Sequence, residues 1–452
     1  MPYTLERKTR ELKKGDEEER WFKSFDHHCV VVEQRKEDPM EKVVKFFCIV
    51  GVVGFIFCFL NSPSLAQVKI GVMFSMTGAG SAVAKVQLDG AKLAVKQVND
   101  QGGVMLGGKR VKVEAVIRDD ETKPDVAARR FRELNEDKVL LVVGGTFAHV
   151  SQAINEQIRE GQALFMAPNG VEEKIFQKDT KAPYYISTLG AVDGIGRMCA
   201  DYVSRTYKPK SVVLFLPDYA YGRGAAKGAH KVFSSKYPNI KITEVWSPVG
   251  IPDFASYIIK IKEMKPDVVM MGHWGNDAIN ALKQVYDLGL RKDTKVFFNS
   301  IITAQAIGVP PEALEGVTIG MWWYHDLKGL KDPETVKAVS TLSEAWKKEY
   351  GEPPDPFAVY AYLGAQQILR GVELSNSLEP GKVYKALMDK PDFMSVKGPA
   401  TWRIDGRPSY KYAYFILDGK SPKAKKDKWD FAKVVDVYTG EELCLPLKEM
   451  GW

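Results

Sequence analysis

The residues of this chain best suited to chemistry stand in short loops that follow apolar runs. These loops contain hydroxyl groups, side-chain amides, aromatic rings and glycines, and they hold few charges. The candidate ligand-contacting residues taken from them are Ser75, Thr77, Thr146, Phe147, Asn169, Tyr221, Trp274 and Ser300. Flat aromatic walls with a few directed hydrogen bonds are typical of a cleft that binds a small molecule. The loops therefore predict binding rather than catalysis.

Patterns that mark catalytic, metal or cofactor sites do not occur in the sequence. No Gly-x-Ser-x-Gly segment is present to support a hydrolase nucleophile. Gly78-Ala79-Gly80 resembles the start of a dinucleotide fingerprint, but Val83 stands where its third glycine belongs. Four of the six histidines lie beyond residue 66, lack metal-ligand spacing and are predicted to be surface or supporting residues: His149, His230, His273 and His325. We expect no cofactor, no metal and no enzymatic activity.

Composition and charge narrow the class of protein. The chain has 452 residues, of which 45% are hydrophobic and 27% charged, as in an ordinary globular protein of two or three domains. The formal net charge of +7 is spread along the chain without a Lys/Arg block. A nucleic-acid partner is therefore excluded, because such a partner requires clustered basic residues with interleaved aromatics.

An export signal is predicted near the N-terminus. Residues 43–60 form an almost uninterrupted apolar run that follows a basic start. Ser64 and Ala66 occupy the small-residue positions of a signal-peptidase site, so cleavage is expected after Ala66. Residues 40–66 thus read as a signal peptide, and the mature protein is expected in the periplasm.

Residues 1–39 do not fit an export signal, because they are highly charged. We interpret them as a mis-annotated extension and Met40 as the true start. The alternative is translation from Met1 with residues 43–60 retained as a membrane anchor, since eighteen apolar residues can just span a bilayer.

Cysteine usage agrees with export. Cys29, Cys48 and Cys58 would leave with the extension and signal, so Cys199 and Cys444 would remain. Two cysteines in an exported protein can form a disulfide, and two separate buried thiols are the alternative. Spacing alone does not decide between these states.

From residue 68 the chain alternates short apolar strands with amphipathic helices. Strands joined by single helices pair in parallel through right-handed crossovers. The strands predicted for the first half are 68–75, 111–119, 140–144 and 163–167, and those for the second half are 211–216, 240–246, 268–272 and 295–299. Two such halves predict two doubly wound α/β lobes rather than one very wide sheet.

The remainder of the chain turns helical. Helices are predicted over 333–350, 356–375 and 380–388. A hairpin of 399–404 with 410–418 and a Lys/Asp-rich tail are expected to follow. Trp322-Trp323-Tyr324 stands after a lobe crossing and is predicted to pack in the core or hinge, with a place in the cleft wall as the alternative.

An ordered series of short motifs covers nearly all of residues 67–420. The motifs are Ile70-Gly71-Val72, Met76-Thr77-Gly78, Leu88-Asp89-Gly90-Ala91, Val98-Asn99-Asp100-Gln101-Gly102-Gly103-Val104, Asp119-Asp120, Tyr219-Ala220-Tyr221-Gly222-Arg223-Gly224, Asp253-Phe254 and Pro266-Asp267. In this order and spacing the chain resembles the type I periplasmic solute-binding proteins of ABC importers, and in particular their leucine/isoleucine/valine-binding branch.

The resemblance implies a fold, a function and partners. The fold would be two Rossmann-like lobes joined by a multi-strand hinge. The protein would be a monomeric receptor without catalysis that closes on a solute and delivers it to a permease and an ATPase. Lobe 1 would comprise 67–188 and 321–398; lobe 2 would comprise 189–320 and, with the C-terminal tail, 399–452.

The resemblance also implies site residues, with departures. In the amino-acid-binding members, hydroxyl residues of lobe 1 and an acid of lobe 2 hold the ligand's carboxylate and ammonium, and aromatics cover its side chain. Here Ala148 stands at a hydroxyl position with Thr146 nearby, and Asn169 replaces a small residue. The acid position falls on Asn299 or Ser300. Covering aromatics persist as Tyr221 and Trp274, while Val83 replaces a tyrosine.

These departures leave the ligand open. A buried ammonium without an anionic partner is unfavourable, which favours a small carboxylate, amide or aromatic compound over an ordinary amino acid. Asp218 or Asp277 could serve as the missing acid, so a branched-chain amino acid also remains a candidate. Two other classes stay open: a ligand-sensing domain of an anchored receptor on the same fold, and a two-domain α/β enzyme.

Overall fold

The computed structural model describes residues 67–160, 163–169 and 172–452. The predicted extension, signal peptide, start codon and cleavage position lie outside these residues. Within the described ranges, no helix has both the length and the apolar composition needed to cross a membrane.

The secondary structure alternates as predicted. The described strands are β1 (Val68–Phe74), β2 (Val104–Leu106), β3 (Lys109–Val111), β4 (Val113–Asp119), β5 (Leu141–Gly144), β6 (Leu164–Ala167), β7 (Tyr185–Ser187), β8 (Ser211–Pro217), β9 (Lys241–Ser247), β10 (Val268–Met271), β11 (Lys295–Phe298), β12 (Thr318–Met321), β13 (Asp392–Ser395), β14 (Gly398–Trp402), β15 (Pro408–Tyr410), β16 (Tyr414–Gly419) and β17 (Ala432–Tyr438). The described helices are α1 (Ser81–Asp100), α2 (Pro124–Glu136), α3 (Ala148–Glu160), α4 (Val192–Tyr207), α5 (Ala220–Lys236), α6 (Ala255–Met264), α7 (Asn276–Asp287), α8 (Thr303–Gly308), α9 (Pro311–Leu314), α10 (Pro333–Tyr350), α11 (Pro356–Ser375), α12 (Pro380–Asp389) and α13 (Gly440–Leu443).

Two large sheets organise the molecule. One is a five-stranded parallel sheet in the order β4-β1-β5-β6-β7, and we name the body built on it lobe 1. The other has seven strands in the order β17-β16-β12-β11-β10-β8-β9, and we name its body lobe 2. The carboxyl ends of parallel strands meet at one edge of a sheet, which is where ligands of doubly wound folds bind.

Two details of the predicted C-terminal region are wrong. β14 pairs with β15 as the hairpin prediction requires, but β16 leaves that small sheet and pairs with β12 of lobe 2. Residues 414–417 are buried on both faces, which a two-stranded hairpin cannot provide, whereas a large sheet covered on both sides can. The predicted tail contains β17, which pairs with β16.

Helices α10 and α11 have the predicted bounds because each begins with a strong start signal. Asp332 and Asp355 are the N-caps, and each accepts a hydrogen bond from a backbone N–H of the first turn. A proline at the first helical position follows each aspartate, where its missing N–H costs nothing.

Helix α11 packs directly on α1 within lobe 1. Gly90 of α1 faces Ala358, and a β-carbon placed on Gly90 would lie 2.1 Å from the Ala358 carbonyl oxygen. The Tyr362 hydroxyl donates to Gln97 Oε1 at 2.6 Å and ties the two helices together further along. The absent side chain of Gly90 therefore sets how closely the helices approach.

Replacing Gly90 with Ala is expected to lower the free energy of unfolding by about 1–3 kcal/mol, because the added methyl overpacks the contact between the helices. Helix propensity alone predicts the opposite sign, a gain of about 1 kcal/mol. Gly224→Ala in α5 is the control, since its nearest neighbours are side-chain atoms at 3.3 Å or more. Urea unfolding measures both changes, and a stabilised Gly90→Ala variant would contradict the packing argument.

A buried lysine lies where chain segments cross between the lobes. The Lys397 ammonium donates to the carbonyl oxygens of Trp322 at 2.5 Å and Ala413 at 2.9 Å. Burial lowers its pKa well below the ordinary value. Three aromatic rings surround the ammonium at 5.0–5.4 Å: Tyr360, Tyr410 and Phe415. Lys397 thus joins the segment after β12 to the segment before β16.

The tripeptide Trp322-Trp323-Tyr324 is buried, as the core or hinge interpretation predicts. The Trp323 indole N–H donates to the Val396 carbonyl, and the Tyr324 hydroxyl donates to the Ala432 carbonyl. These contacts place the tripeptide in packing between segments rather than in a cleft wall.

A second buried junction consists of five charged side chains. Glu173 accepts from Arg197 at 2.8 Å and from Arg407 at 3.2 Å. Asp405 accepts from Arg407 at 2.8 Å and from Arg403 at 3.0 Å. All five are buried, so each charge depends on its partners for compensation.

The two cysteines of the described residues are separate thiols rather than a disulfide. Within the described residues, Cys199 and Cys444 are both buried and unbridged. The Cys199 thiol lies 3.6 Å from the Asn299 carbonyl oxygen. Burial raises the pKa of both thiols, so they stay protonated at neutral pH.

Candidate ligand-binding cleft

The lobe 1 side of the candidate site begins with a hydrogen-bonded chain at the end of β1. The Ser75 N–H donates to Thr146 Oγ1 at 3.1 Å, and the Ser75 hydroxyl donates to Asp120 Oδ1 at 2.5 Å. Ser75 is fully buried, so it supports the loop more directly than it faces a ligand. The oxygen of Thr146 accepts from Ser75, which leaves the Thr146 hydroxyl proton for a ligand. Burial raises the pKa of Asp120.

The other lobe 1 candidates are spread along the same sheet edge. The Thr77 hydroxyl donates to Asp119 at 2.7 Å in an exposed turn, so its proton is already used. Phe147 is half-buried and stacks on His149 with ring centroids 5.6 Å apart. Ala148 is the first residue of α3 and offers only a methyl group. Asn169 is buried and accepts from the Ser151 hydroxyl at 3.4 Å.

Aromatic side chains dominate the lobe 2 side. The rings of Tyr221 and Trp274 meet edge to face with centroids 5.7 Å apart. Tyr219 lies 5.9 Å from Tyr221 and is partly exposed. The Trp274 ring is also 5.8 Å from the ring of Phe357. Edge-to-face and tilted rings at these distances attract one another beyond simple burial.

Phe357 was missed in the sequence. It stands in the first turn of α11, which packs on α1 of lobe 1, so the contact with Trp274 joins the two lobes. Phe357 lies inside a helical pattern rather than at a strand end, so it does not belong to the strand-end loops that the sequence indicates. The Asp-Pro helix start at Asp355 is the signal that could have placed it beside a loop edge.

Three polar groups of lobe 2 are buried without hydrogen-bond partners among the described residues. They are Tyr221 Oη, Asn299 Oδ1 and Ser300 Oγ. A β-carbon on Gly272 would lie 3.5 Å from both the Tyr221 ring and the Asn299 amide nitrogen, so these two side chains are neighbours. Burial raises the pKa of Tyr221 well above its ordinary value and keeps its hydroxyl protonated. Unpaired buried polar groups are costly, so this cluster is suited to a ligand that completes its hydrogen bonds.

The acids considered as substitutes are already engaged. Asp218 forms an ion pair with Arg223 at 2.5 Å, and Asp277 accepts from the Gly250 N–H at 2.7 Å. Asp218 is therefore neutralised by Arg223, whereas Asp277 keeps its charge and has a backbone N–H as its partner.

The histidines lie apart from any metal-binding arrangement. Within the described residues, no group of three or more His, Cys, Asp or Glu side chains could hold a metal ion. His273 is fully buried between Phe215 and Phe254, and burial lowers its pKa to about 3. His230 pairs with Glu244 at the surface, and His149 contacts the Thr122 carbonyl.

Comparison with known proteins decides the family. A model of the periplasmic binding protein family matches residues 67–422. The chain belongs to this family. This chain is 24% identical over 345 residues to the Leu/Ile/Val-binding protein homolog 1 of Brucella abortus. The match covers 76% of this chain and 88% of the relative.

Solved structures share the fold of this binding protein. The substrate-binding protein of an amino acid ABC transporter from Pseudomonas fluorescens Pf-5 matches with a TM-score of 0.75 at 22% identity, over 85% of this chain and 98% of that one. A solute-binding protein of an ABC transporter from R. palustris, solved with benzoate, matches with a TM-score of 0.68 at 21% identity, over 82% and 96%.

The comparisons confirm three predictions made from the sequence. The chain is a type I periplasmic binding protein of the leucine/isoleucine/valine-binding family, and its fold is the two-lobed α/β fold. Its function is that of a solute-binding component in ABC transport. The individual site residues and the lobe boundaries stay predictions.

Proposed function

We propose that this binding protein closes its two lobes on one small solute and delivers it, unchanged, to the permease and ATPase subunits of an ABC importer. The contact of Trp274 with Tyr221 on one side and Phe357 on the other carries the proposal. It brings an aromatic wall from each lobe to one place at the strand ends, where doubly wound folds bind ligands. The protein acts as a monomer without catalysis.

The remaining parts of the proposal concern organisation and export. Lobe 1 comprises 67–188 and 321–398, and lobe 2 comprises 189–320 and 399–452. The protein reaches the periplasm through a signal peptide cleaved after Ala66. Thr146, Asn169, Tyr221, Trp274 and Ser300 contact the solute, with Phe357 added to the predicted set.

The preferred solute is a small carboxylate with an apolar or aromatic body. The hydroxyl protons of Thr146, Tyr221 and Ser300 can be donated to carboxylate oxygens, and the aromatic rings cover an apolar body. An ammonium would require an acceptor with negative charge, and the lobe 2 cluster is neutral. The likeness to the benzoate-bound protein supports a carboxylate, whereas the relative named for Leu, Ile and Val supports the branched-chain alternative.

A thermal-shift panel tests the solute class. We expect benzoate and 4-methylpentanoate to raise the unfolding temperature more than leucine, which differs from 4-methylpentanoate by its α-ammonium. A ligand at 100 times its Kd adds about 2.7 kcal/mol of stability. A larger shift with leucine would replace the carboxylate by the branched-chain alternative. No shift with any of the three, confirmed by calorimetry, would contradict the proposed site.

A further inference from the structure

Asp355 is a buried carboxylate held by backbone N–H groups from two different helices. Its Oδ1 accepts from the Phe357 N–H at 3.0 Å at the start of α11. Its Oδ2 accepts from the Thr303 N–H at 3.1 Å at the start of α8. The side chain has little contact with solvent in this arrangement.

The two helices belong to different lobes. Helix α11 packs on lobe 1, because Gly364 lies against Val143 of β5 and Met166 of β6. Along the chain, helix α8 follows β11 and precedes β12, which are both strands of lobe 2. Its Gly308 lies against Ile279 of α7. The Asp355 carboxylate therefore bridges the lobes beside the Phe357–Trp274 contact, and separating the lobes would return it to water.

No cation compensates this charge in the part of the chain that the structure describes. The titratable group that acts on Asp355 is another acid, Glu352, in the loop before α11. Burial raises the pKa of Asp355 to about 6, although the N–H groups of Phe357, Thr303 and Ala304 oppose the rise. A buried carboxylate without a cation is destabilised, and protonation relieves that cost.

Asp332 provides the matched comparison. It also caps a helix, accepting from the Thr335 N–H at 3.1 Å, and it is also buried. Unlike Asp355, it receives the Lys411 ammonium at 2.6 Å, and this contact lowers its pKa. Two N-cap aspartates of one chain thus differ in whether a cation neutralises them.

We propose that closure of the lobes on solute is coupled to protonation of Asp355, so that binding takes up a proton in mildly acidic solution. The inference rests on the proposed function, because it requires lobes that open and close. Asp355 then acts as a positioning residue of the closed form and does not touch the solute.

The direction and size of the pH effect on solute affinity follow from proton linkage. In the open form Asp355 returns to water but keeps the Phe357 N–H bond of its own helix, so its pKa lies no higher than the ordinary 3.8, and in the closed form the pKa is about 6. The closed form therefore binds more protons between these values, and solute affinity rises as pH falls. The affinity is expected to increase about tenfold from pH 7 to pH 5, and to level off only below pH 3.8.

Isothermal titration calorimetry in buffers of different ionisation enthalpy counts the protons taken up on binding. The probe is benzoate or leucine, whichever gives the larger thermal shift. At pH 6 the wild type is expected to take up about 0.5 proton per solute, and at pH 7.5 almost none. Asp355→Asn keeps a good N-cap residue and is expected to take up almost none at either pH. Asp332→Asn is expected to behave as the wild type.

Each outcome decides the inference. Wild-type uptake near zero at pH 6, or undiminished uptake in Asp355→Asn, overturns the coupling while the solute-binding function stands. If neither solute binds, the proposed solute class fails, and small-angle scattering of the ligand-free protein judges the coupling. A radius of gyration that decreases from pH 7 to pH 5 in the wild type but not in Asp355→Asn supports it; a radius independent of pH in the wild type overturns it.

Discussion

Replacing Trp274 with Ala is expected to weaken solute binding about 100-fold while the protein stays folded. The indole contacts Tyr221 of its own lobe and Phe357 of the other, so its removal opens the aromatic wall from both sides. Truncation of an aromatic anchor at an interface costs about 2–4 kcal/mol, and 2.7 kcal/mol corresponds to about 100-fold in Kd. Titration calorimetry measures the affinity, and near-ultraviolet circular dichroism checks the fold.

Trp246→Ala is the matched control for this prediction. Trp246 is a half-buried tryptophan of the same lobe, covered by the Arg223 guanidinium at 4.2 Å, and its indole N–H donates to Glu244. Its loss removes contacts with Arg223 and Glu244 and is expected to change affinity by less than about threefold. Equal affinities for wild type and Trp274→Ala would remove Trp274 from the site.

The second large effect concerns stability. Replacing Glu173 with Gln is expected to lower the free energy of unfolding by about 3–5 kcal/mol, because it leaves two buried guanidinium groups short of an anion. Arg197 and Arg407 both contact this carboxylate, and the Leu445 N–H donates to it as well. Guanidinium chloride unfolding at pH 7 measures the loss.

The pH dependence of this junction has a definite sign. Burial alone would raise the pKa of Glu173, but the ion pairs with Arg197 and Arg407 outweigh it and hold the pKa below 4.5. The stabilisation is therefore complete above pH 4.5 and is lost as the pH falls further. Glu114→Gln is the control, since its 4.0 Å pair with Lys69 is exposed and should contribute less than about 0.5 kcal/mol. A Glu173→Gln loss no larger than that of the control would contradict the prediction.

The sequence predicted most of the regular structure because local signals and long-range packing agree there. Apolar runs bounded by glycine and polar residues predicted eight of the ten described parallel strands within one or two positions, as at β8 and β11, whereas the short strands β7 and β12 were missed. The Asp-Pro pairs mark where α10 and α11 begin. Both signals consist of a few neighbouring residues, so they can be recognised from the sequence alone.

The prediction of the C-terminal strands was wrong because local signals do not determine their pairing. The strand pattern runs on from β15 into β16, and only pairing partners elsewhere in the chain divide it between two sheets. No residue near the junction indicates that β15 and β16 belong to different sheets. The burial of Lys397 among aromatic rings likewise depends on chain segments that meet only in the folded molecule.

The location of the candidate site stays a prediction, but neighbouring strand-end loops do lie together within each lobe. The Ser75 N–H donates to Thr146, and Trp274 lies beside Tyr221. The partners of each side chain could not be read from the sequence: Ser75 is committed to Asp120, and Thr77 to Asp119. Phe357 contacts Trp274, and the next residue, Ala358, packs on Gly90 at a distance that no spacing rule gives.

The pairing of β16 with β12 constrains the order in which the molecule can be assembled. Thr318 pairs with Asp418, so the central sheet of lobe 2 receives a strand made about a hundred residues after its neighbour. Long-range pairing of this kind slows acquisition of the native state, and a nascent chain stopped before β16 would keep the edge of β12 bare. Synthesis must therefore be almost finished before lobe 2 can complete its sheet. During this long interval the polypeptide stays incompletely folded, so it can still be threaded through a pore and bound by chaperones.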